Sequence, residues 1–85
     1  MQYEIRYARS ALKTLRRLDR EPARRILRAI DALSQDPRPQ DCQRLKGGAG
    51  EMRIRVGDHR VIYEVIDAEV VILVLSVGHR REVYR

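Results

Sequence analysis

The sequence has one cysteine, no tryptophan and no phenylalanine among its 85 residues. With Cys42 alone, no internal disulfide is possible, and no cluster of cysteines and histidines has metal-ligand spacing. All four aromatic residues are tyrosines, too few to wall a deep cavity with large rings. The chain opens on no signal-peptide pattern, and its longest apolar run, residues 70–75, is far too short to cross a bilayer. These absences predict a cytoplasmic protein with a shallow working surface and no metal, cofactor or membrane partner.

Acidic residues are in the minority, 12 against 18 lysines and arginines, which gives a formal net charge of +6. Only Lys13 and Lys46 are lysines, so the other 16 cations are arginines. A guanidinium can grip a phosphate with two hydrogen bonds and stack on a base, which a lysine does less well. The composition therefore favours nucleic acid or an acidic protein as partner. A GC-rich genome would also produce many arginines.

Hydrophobic periodicity divides the chain into a first half with helices and a second half with strands. Alternation over residues 3–7 predicts a short strand. Apolar residues then recur at three- and four-residue spacing over 8–18 and 22–33, which predicts two amphipathic helices. Pro37 and Pro39 predict a loop after the second helix, because proline fixes φ and cannot donate a backbone hydrogen bond.

The second half alternates as an antiparallel meander of three strands, residues 52–56, 60–66 and 70–77. The last strand is apolar on both faces, so we expect it inside the sheet with one face under the helices. The predicted fold is a single domain over residues 1–85 of the α+β class. It has an N-terminal strand, an antiparallel helical hairpin and the meander, in one sheet with the helices on one face.

Arginines collect on the strands of this meander. Arg53 and Arg55 alternate with apolar residues, so they point away from the helices, about 7 Å apart by strand geometry. Arg60 opens the next strand just past a tight turn, and Arg80 follows the last strand. We therefore expect four guanidiniums on one surface, suited to neighbouring phosphates. Alternatively, Arg53 and Arg55 are ordinary solvent-exposed residues, since arginines are common on the exposed face of antiparallel sheets. Arg60 could then form a salt bridge with an acidic neighbour.

The last eight residues, 78–85, follow directly on the buried strand, so a rigid element delivers their polar side chains to one edge of the fold. His79 is of interest because an imidazole exchanges protons near neutral pH. Tyr84 could transfer a proton or stack on a base. Alternatively, His79 is a capping or surface residue, and the Tyr84 ring covers the edge of the core.

Three segments together, residues 45–47, 52–65 and 74–84, resemble the RelE branch of the RelE/ParE toxin superfamily. The resemblance extends over essentially the whole chain. It implies a bacterial or archaeal type II toxin that enters the ribosomal A site and cuts mRNA there without a metal ion. The implied partners are the ribosome, its mRNA and a RelB-like antitoxin encoded by an adjacent gene, with which the toxin forms a hetero-oligomer.

The family's site residues map onto particular positions of this chain. The resemblance implies catalytic roles for four residues, Arg55, Arg60, Arg80 and Tyr84. It implies RNA contacts for four more, Arg53, His79, Arg81 and Lys46.

Relatives often have lysine where this chain has Arg53 and Arg55. Since a guanidinium stays protonated, it can stabilise the phosphate but cannot exchange a proton. The acid and base are therefore open, with Tyr84 and His79 as candidates. Two alternatives share the fold: a ParE-like inhibitor of DNA gyrase without ribonuclease activity, and a noncatalytic partner-binding module.

Overall fold

The structure, a computed structural model, describes residues 2–45, 48 and 50–79. Both predicted helices and all four predicted strands are present, which confirms the α+β class. Neither helix in this described part of the chain is long and apolar enough to cross a membrane. In chain order the elements are β1 (Glu4–Tyr7), α1 (Arg9–Arg17), α2 (Arg20–Leu33), β2 (Gln43–Arg44), β3 (Met52–Val56), β4 (His59–Ile66), a 3-10 turn (Asp67–Glu69) and β5 (Val71–His79).

The strands form one five-stranded sheet in the order β1-β5-β4-β3-β2. The β3-β4-β5 meander is antiparallel, as the alternation predicts, and β1 pairs in parallel with β5. Strand β5 therefore has a neighbour on each side, which confirms the interior position expected from its two apolar faces. Strand β2 was not predicted, because two residues are too few to show an alternating pattern.

The apolar stripes of the helices pack on one face of the sheet. Ile26, Ile30 and Leu33 of α2 are almost fully buried in a single cluster with Ile54 and Val61 of the sheet. Each aliphatic side chain buried in this way contributes about 1.5–3 kcal/mol relative to exposure. The opposite face of the sheet, which we call the outer face, carries the arginines of β3.

Two histidines lie inside strands, where the sequence predicted otherwise. The predicted strands begin at residue 60 and end at residue 77, so they leave out His59 and His79. In the structure, Gly57 turns the chain with a φ of 62°, which glycine adopts without steric cost, so strand pairing already resumes at His59. His59 pairs with His79, and their rings meet edge to face with centroids 5.4 Å apart.

The loop between α2 and β2 is held in place by the hydroxyl of Tyr63 and by an ion pair between Arg38 and Asp67. The fully buried Tyr63 hydroxyl donates to the carbonyl of Pro37 at 2.8 Å, and burial raises the pKa of this phenol far above its ordinary value. Asp67 accepts hydrogen bonds from the Tyr3 hydroxyl at 2.7 Å and from Arg38 at 2.8 Å. The loop therefore has a fixed course and delivers the residues that follow it to one edge of the sheet.

Candidate nucleic-acid site

An open cavity lies on the outer face of the sheet near the β3-β4 turn. It has a volume of about 500 Å³ and is lined by Asp41, Gln43, Arg53, Arg55 and Arg60. Among these described residues, three guanidiniums against one carboxylate give a net positive charge. The cavity is therefore electrostatically suited to a polyanion. We refer to it as the arginine cavity.

Strand register explains why the three arginines meet. Arg53 and Arg55 alternate with the buried Met52 and Ile54, so they lie on the opposite face from the core. Arg55 is paired directly with Arg60 on β4, and paired residues of antiparallel strands share a face. The structure thus places Arg53, Arg55 and Arg60 together, on the face that the alternation predicts.

Burial distinguishes the three arginines, which the sequence did not. Arg55 is exposed and Arg53 is half-buried, whereas Arg60 is only 3% exposed. The residue opposite Arg60 on β5 is Gly78, which has no side chain to cover this part of the outer face. Arg60 therefore forms the floor of the arginine cavity, and the other two form its more accessible wall.

A β-bulge determines which residue of β5 lies opposite Arg60. Tyr63 pairs with Val74, but Ile62 pairs with Ser76, so Leu75 is the extra residue on β5. Without the bulge, the pairing that starts at Tyr63 would bring Val77 opposite Arg60. The extra residue instead brings Gly78 there. Bulges commonly re-aim side chains next to functional sites, and this one opens the space that Arg60 occupies.

Gln43 and Asp41 come from the short stretch that ends the α2-β2 loop. The Gln43 side-chain oxygen accepts a hydrogen bond from the Arg53 guanidinium, which holds that guanidinium over β2. Sequence reasoning missed both residues, because no periodicity marks positions 41–43. The pairing of Gln43 with Arg53 across β2 and β3 was the only signal, and it exists only in three dimensions.

Of the remaining predicted site residues, the structure describes His79 alone, and His79 is not among the described residues that line the cavity. His79 pairs with His59, which pairs with the core-facing Val56, so it lies on the helix side of the sheet and not on the outer face. Within the described ranges, no group of three or more histidines, cysteines and acidic residues is placed to hold a metal ion. Four predicted residues lie outside the described residues: Lys46, Arg80, Arg81 and Tyr84.

Comparisons with known proteins identify the family. Residues 5–84 match the family described as ParE toxin of type II toxin-antitoxin system, parDE. The mRNA interferase toxin RelE of Escherichia coli K12 is 31% identical over an alignment 88 residues long. The alignment covers 99% of this chain and 92% of that protein.

Solved structures of relatives share the fold. The archaeal RelE-RelB complex from Pyrococcus horikoshii OT3 matches with a TM-score of 0.82 and 33% identity, covering 94% of this chain and 97% of that one. The isolated E. coli RelE toxin matches with a TM-score of 0.81 and 30% identity, covering 96% of this chain and 90% of that one. The chain therefore belongs to the RelE/ParE superfamily of toxins from type II toxin-antitoxin systems, with RelE toxins among its relatives.

Proposed function

We propose that this protein is a ribosome-dependent endoribonuclease that cuts mRNA in the A site and so stops translation. The observation that carries the proposal is the arginine cavity, in which one buried and two accessible guanidiniums share a face of the sheet. The relative from E. coli that is named an mRNA interferase toxin supports the same reaction class. The proposed reaction is attack of a ribose 2′-hydroxyl on the adjacent phosphorus, without a metal ion.

The charges of the cavity suit the transition state of this reaction. Attack on phosphorus places additional negative charge on the phosphate oxygens, and fixed donors aimed at that charge lower the barrier. Arg60 is the best placed of the described residues for this role, because a buried guanidinium is held rigidly and its field is weakly screened. Arg55 and Arg53 would bind the scissile and flanking phosphates, and Arg80 would complete the clamp.

We also propose a RelB-like antitoxin, encoded by an adjacent gene, as the partner that controls this activity. The P. horikoshii relative was solved as a RelE-RelB complex, and so was an E. coli relative. An antitoxin that covered the outer face would block access of mRNA to the arginine cavity. Since the substrate and the ribosome are cytoplasmic, the toxin would act in that compartment.

The experiment that tests the function uses programmed ribosomes. Wild-type protein is incubated with ribosomes translating a defined mRNA, and primer extension maps the cuts. We expect cuts within the A-site codon and none in the same mRNA without ribosomes. A parallel assay measures DNA supercoiling by gyrase. Inhibition of gyrase without any cut in the mRNA would overturn the proposal and favour the ParE-like alternative.

Two residues of the C-terminal segment provide a further prediction. We expect Arg80→Ala and Tyr84→Phe each to slow A-site cleavage about 10²-fold, through loss of a phosphate donor and of a phenol near the reacting group. Arg85→Ala is the control, because it removes the same charge from the end of the same segment. Thermal unfolding of all three variants should stay near wild type. If Arg80→Ala and Tyr84→Phe both failed to fold, the two residues would have a role in stabilising the fold and not in cleavage.

A further inference from the structure

The arginine cavity poses a chemical problem that its arginines cannot solve. Attack by a 2′-hydroxyl requires a group that takes the hydroxyl proton, and a guanidinium remains protonated throughout. Gln43 does not titrate. Among the described residues that line the cavity, Asp41 is the one whose side chain can accept and release a proton.

Asp41 is not needed to neutralise a neighbouring arginine. The salt bridges between described residues are Arg6 with Glu4 and Arg38 with Asp67, and Asp41 belongs to neither. Its side chain is exposed and makes no hydrogen bond to the described part of the protein. A carboxylate beside three guanidiniums that forms a salt bridge with none of them is open to a ligand.

The backbone around Asp41 is nevertheless well fixed. The Tyr63 hydroxyl holds the preceding loop at Pro37, and the amide of Cys42 donates to the carbonyl of Pro39 at 3.0 Å. Two residues after Asp41, Gln43 pairs with Arg53 in the sheet. Asp41 is thus held at the rim of the cavity by contacts on both sides, as a group that transfers a proton must be.

A role in binding alone does not explain this carboxylate. An anion in the cavity repels the phosphates of RNA and weakens the field of the three arginines. A site that only bound RNA would be improved by an amide at this position. Proton transfer, in contrast, requires a group that can accept a proton, and a carboxylate is such a group.

We propose that Asp41 is the general base of the cleavage reaction, an inference that rests on the proposed ribonuclease function. The Asp41 carboxylate takes the proton of the 2′-hydroxyl as the 2′-oxygen forms a bond to phosphorus. The bond from phosphorus to the 5′-oxygen breaks, which leaves a 2′,3′-cyclic phosphate. The departing 5′-oxygen takes a proton from water, and the hydroxide so formed is neutralised when Asp41 releases its proton.

The test compares Asp41→Asn with Asp36→Asn. Both variants remove one carboxylate from the same loop, but Asp36 does not line the arginine cavity. Single-turnover cleavage on programmed ribosomes is measured by primer extension. Binding is measured separately on ribosomes carrying an mRNA with 2′-deoxynucleotides at the A-site codon, which cannot be cut by this mechanism.

We expect Asp41→Asn to slow cleavage about 10²-fold or more, in the range for loss of a general base, and to bind the deoxy-substituted complex as tightly as wild type or more tightly. Asp41→Glu should recover part of the rate, and Asp36→Asn should cut like wild type. The thermal transition of Asp41→Asn is measured alongside, and because the side chain is exposed we expect it unchanged.

Cleavage by Asp41→Asn at the wild-type rate would overturn the inference while leaving the ribonuclease function intact. Weaker binding with an equal loss of rate would also overturn it, because Asp41 would then hold the RNA and transfer no proton. Absence of cleavage by the wild type would instead overturn the proposed function itself. The two failures are therefore distinguishable in one set of assays.

Discussion

Replacement of Arg60 by lysine is expected to slow A-site cleavage about 10²–10³-fold, the range measured when one transition-state donor is removed from an enzyme. The positive charge is kept, so simple attraction of RNA is preserved. The planar fork is lost, and with it the two parallel hydrogen bonds that a guanidinium can make to a phosphate. Arg60 forms the floor of the cavity, so the exposed arginines at its wall cannot replace the hydrogen bonds to phosphate that are lost there.

The matched control is Arg28→Lys, the same exchange at an exposed position of α2. It should cut at the wild-type rate. Since Arg60 is buried, its exchange also affects stability, so urea denaturation is measured for both variants. A folded Arg60→Lys that cuts within threefold of wild type would contradict the assigned role. If Arg60→Lys does not fold, Arg55→Ala at the exposed wall of the cavity tests the site instead, with an expected loss in the same direction.

Much of this site follows from the strand pattern alone. Period-two alternation placed Arg53 and Arg55 on the face away from the core, and the Gly57-Asp58 turn brought Arg60 beside them. Both inferences need only the local geometry of a hairpin, which is set within a few residues of sequence. The resemblance to a toxin family then gave those arginines a chemistry, which composition and spacing did not supply.

What the sequence could not provide depends on long-range register. The depth of Arg60 follows from the bulge at Leu75, which brings Gly78 opposite it. A bulge shifts pairing by one residue and leaves little trace in the hydrophobic pattern. The same shift brings His79 opposite His59, so the histidine predicted near the phosphate lies instead on the helix side.

Asp41 was missed for a different reason. It lies in a loop, where no periodicity constrains which way a side chain faces. Its position depends on how the loop is attached to the sheet, and one of these attachments is the hydrogen bond from the hydroxyl of the buried Tyr63 on strand β4. The geometry of the site therefore depends in part on a residue of the core that is not itself in the cavity lining.

Tyr63→Ala is accordingly expected to lower the free energy of unfolding by about 3–5 kcal/mol, as for other large aromatic residues truncated in a core. The ring is completely buried, and its removal leaves a cavity beneath the sheet. Tyr63→Phe separates the hydroxyl from the ring. It leaves the Pro37 carbonyl without its donor and should lower the free energy of unfolding by about 1–3 kcal/mol. Urea denaturation at neutral pH measures both changes.

The pH dependence of the free energy of unfolding distinguishes loss of the Tyr63 hydroxyl from other effects of Tyr63→Phe. An unfolded tyrosine ionises near pH 10, whereas burial raises the pKa of Tyr63 in the folded protein. The unfolded state therefore loses a proton first, so the stability due to this group is complete below about pH 10 and falls as the pH rises above it. Each further pH unit should remove up to about 1.4 kcal/mol from the wild type, and Tyr63→Phe should lack this part of the decline.

The same variant tests whether the loop positions the site. If the Tyr63 hydroxyl fixes the course of the chain towards Asp41, Tyr63→Phe should slow A-site cleavage severalfold, because a small displacement of a reacting group lowers the rate. The rate is measured at temperatures where the variant is fully folded. Tyr3→Phe removes the hydroxyl that donates to Asp67, the exposed partner of Arg38 in this loop, and should have a smaller effect on rate and stability. Equal rates for wild type and Tyr63→Phe, with the loss of stability present, would show that the loop holds Asp41 without this hydrogen bond.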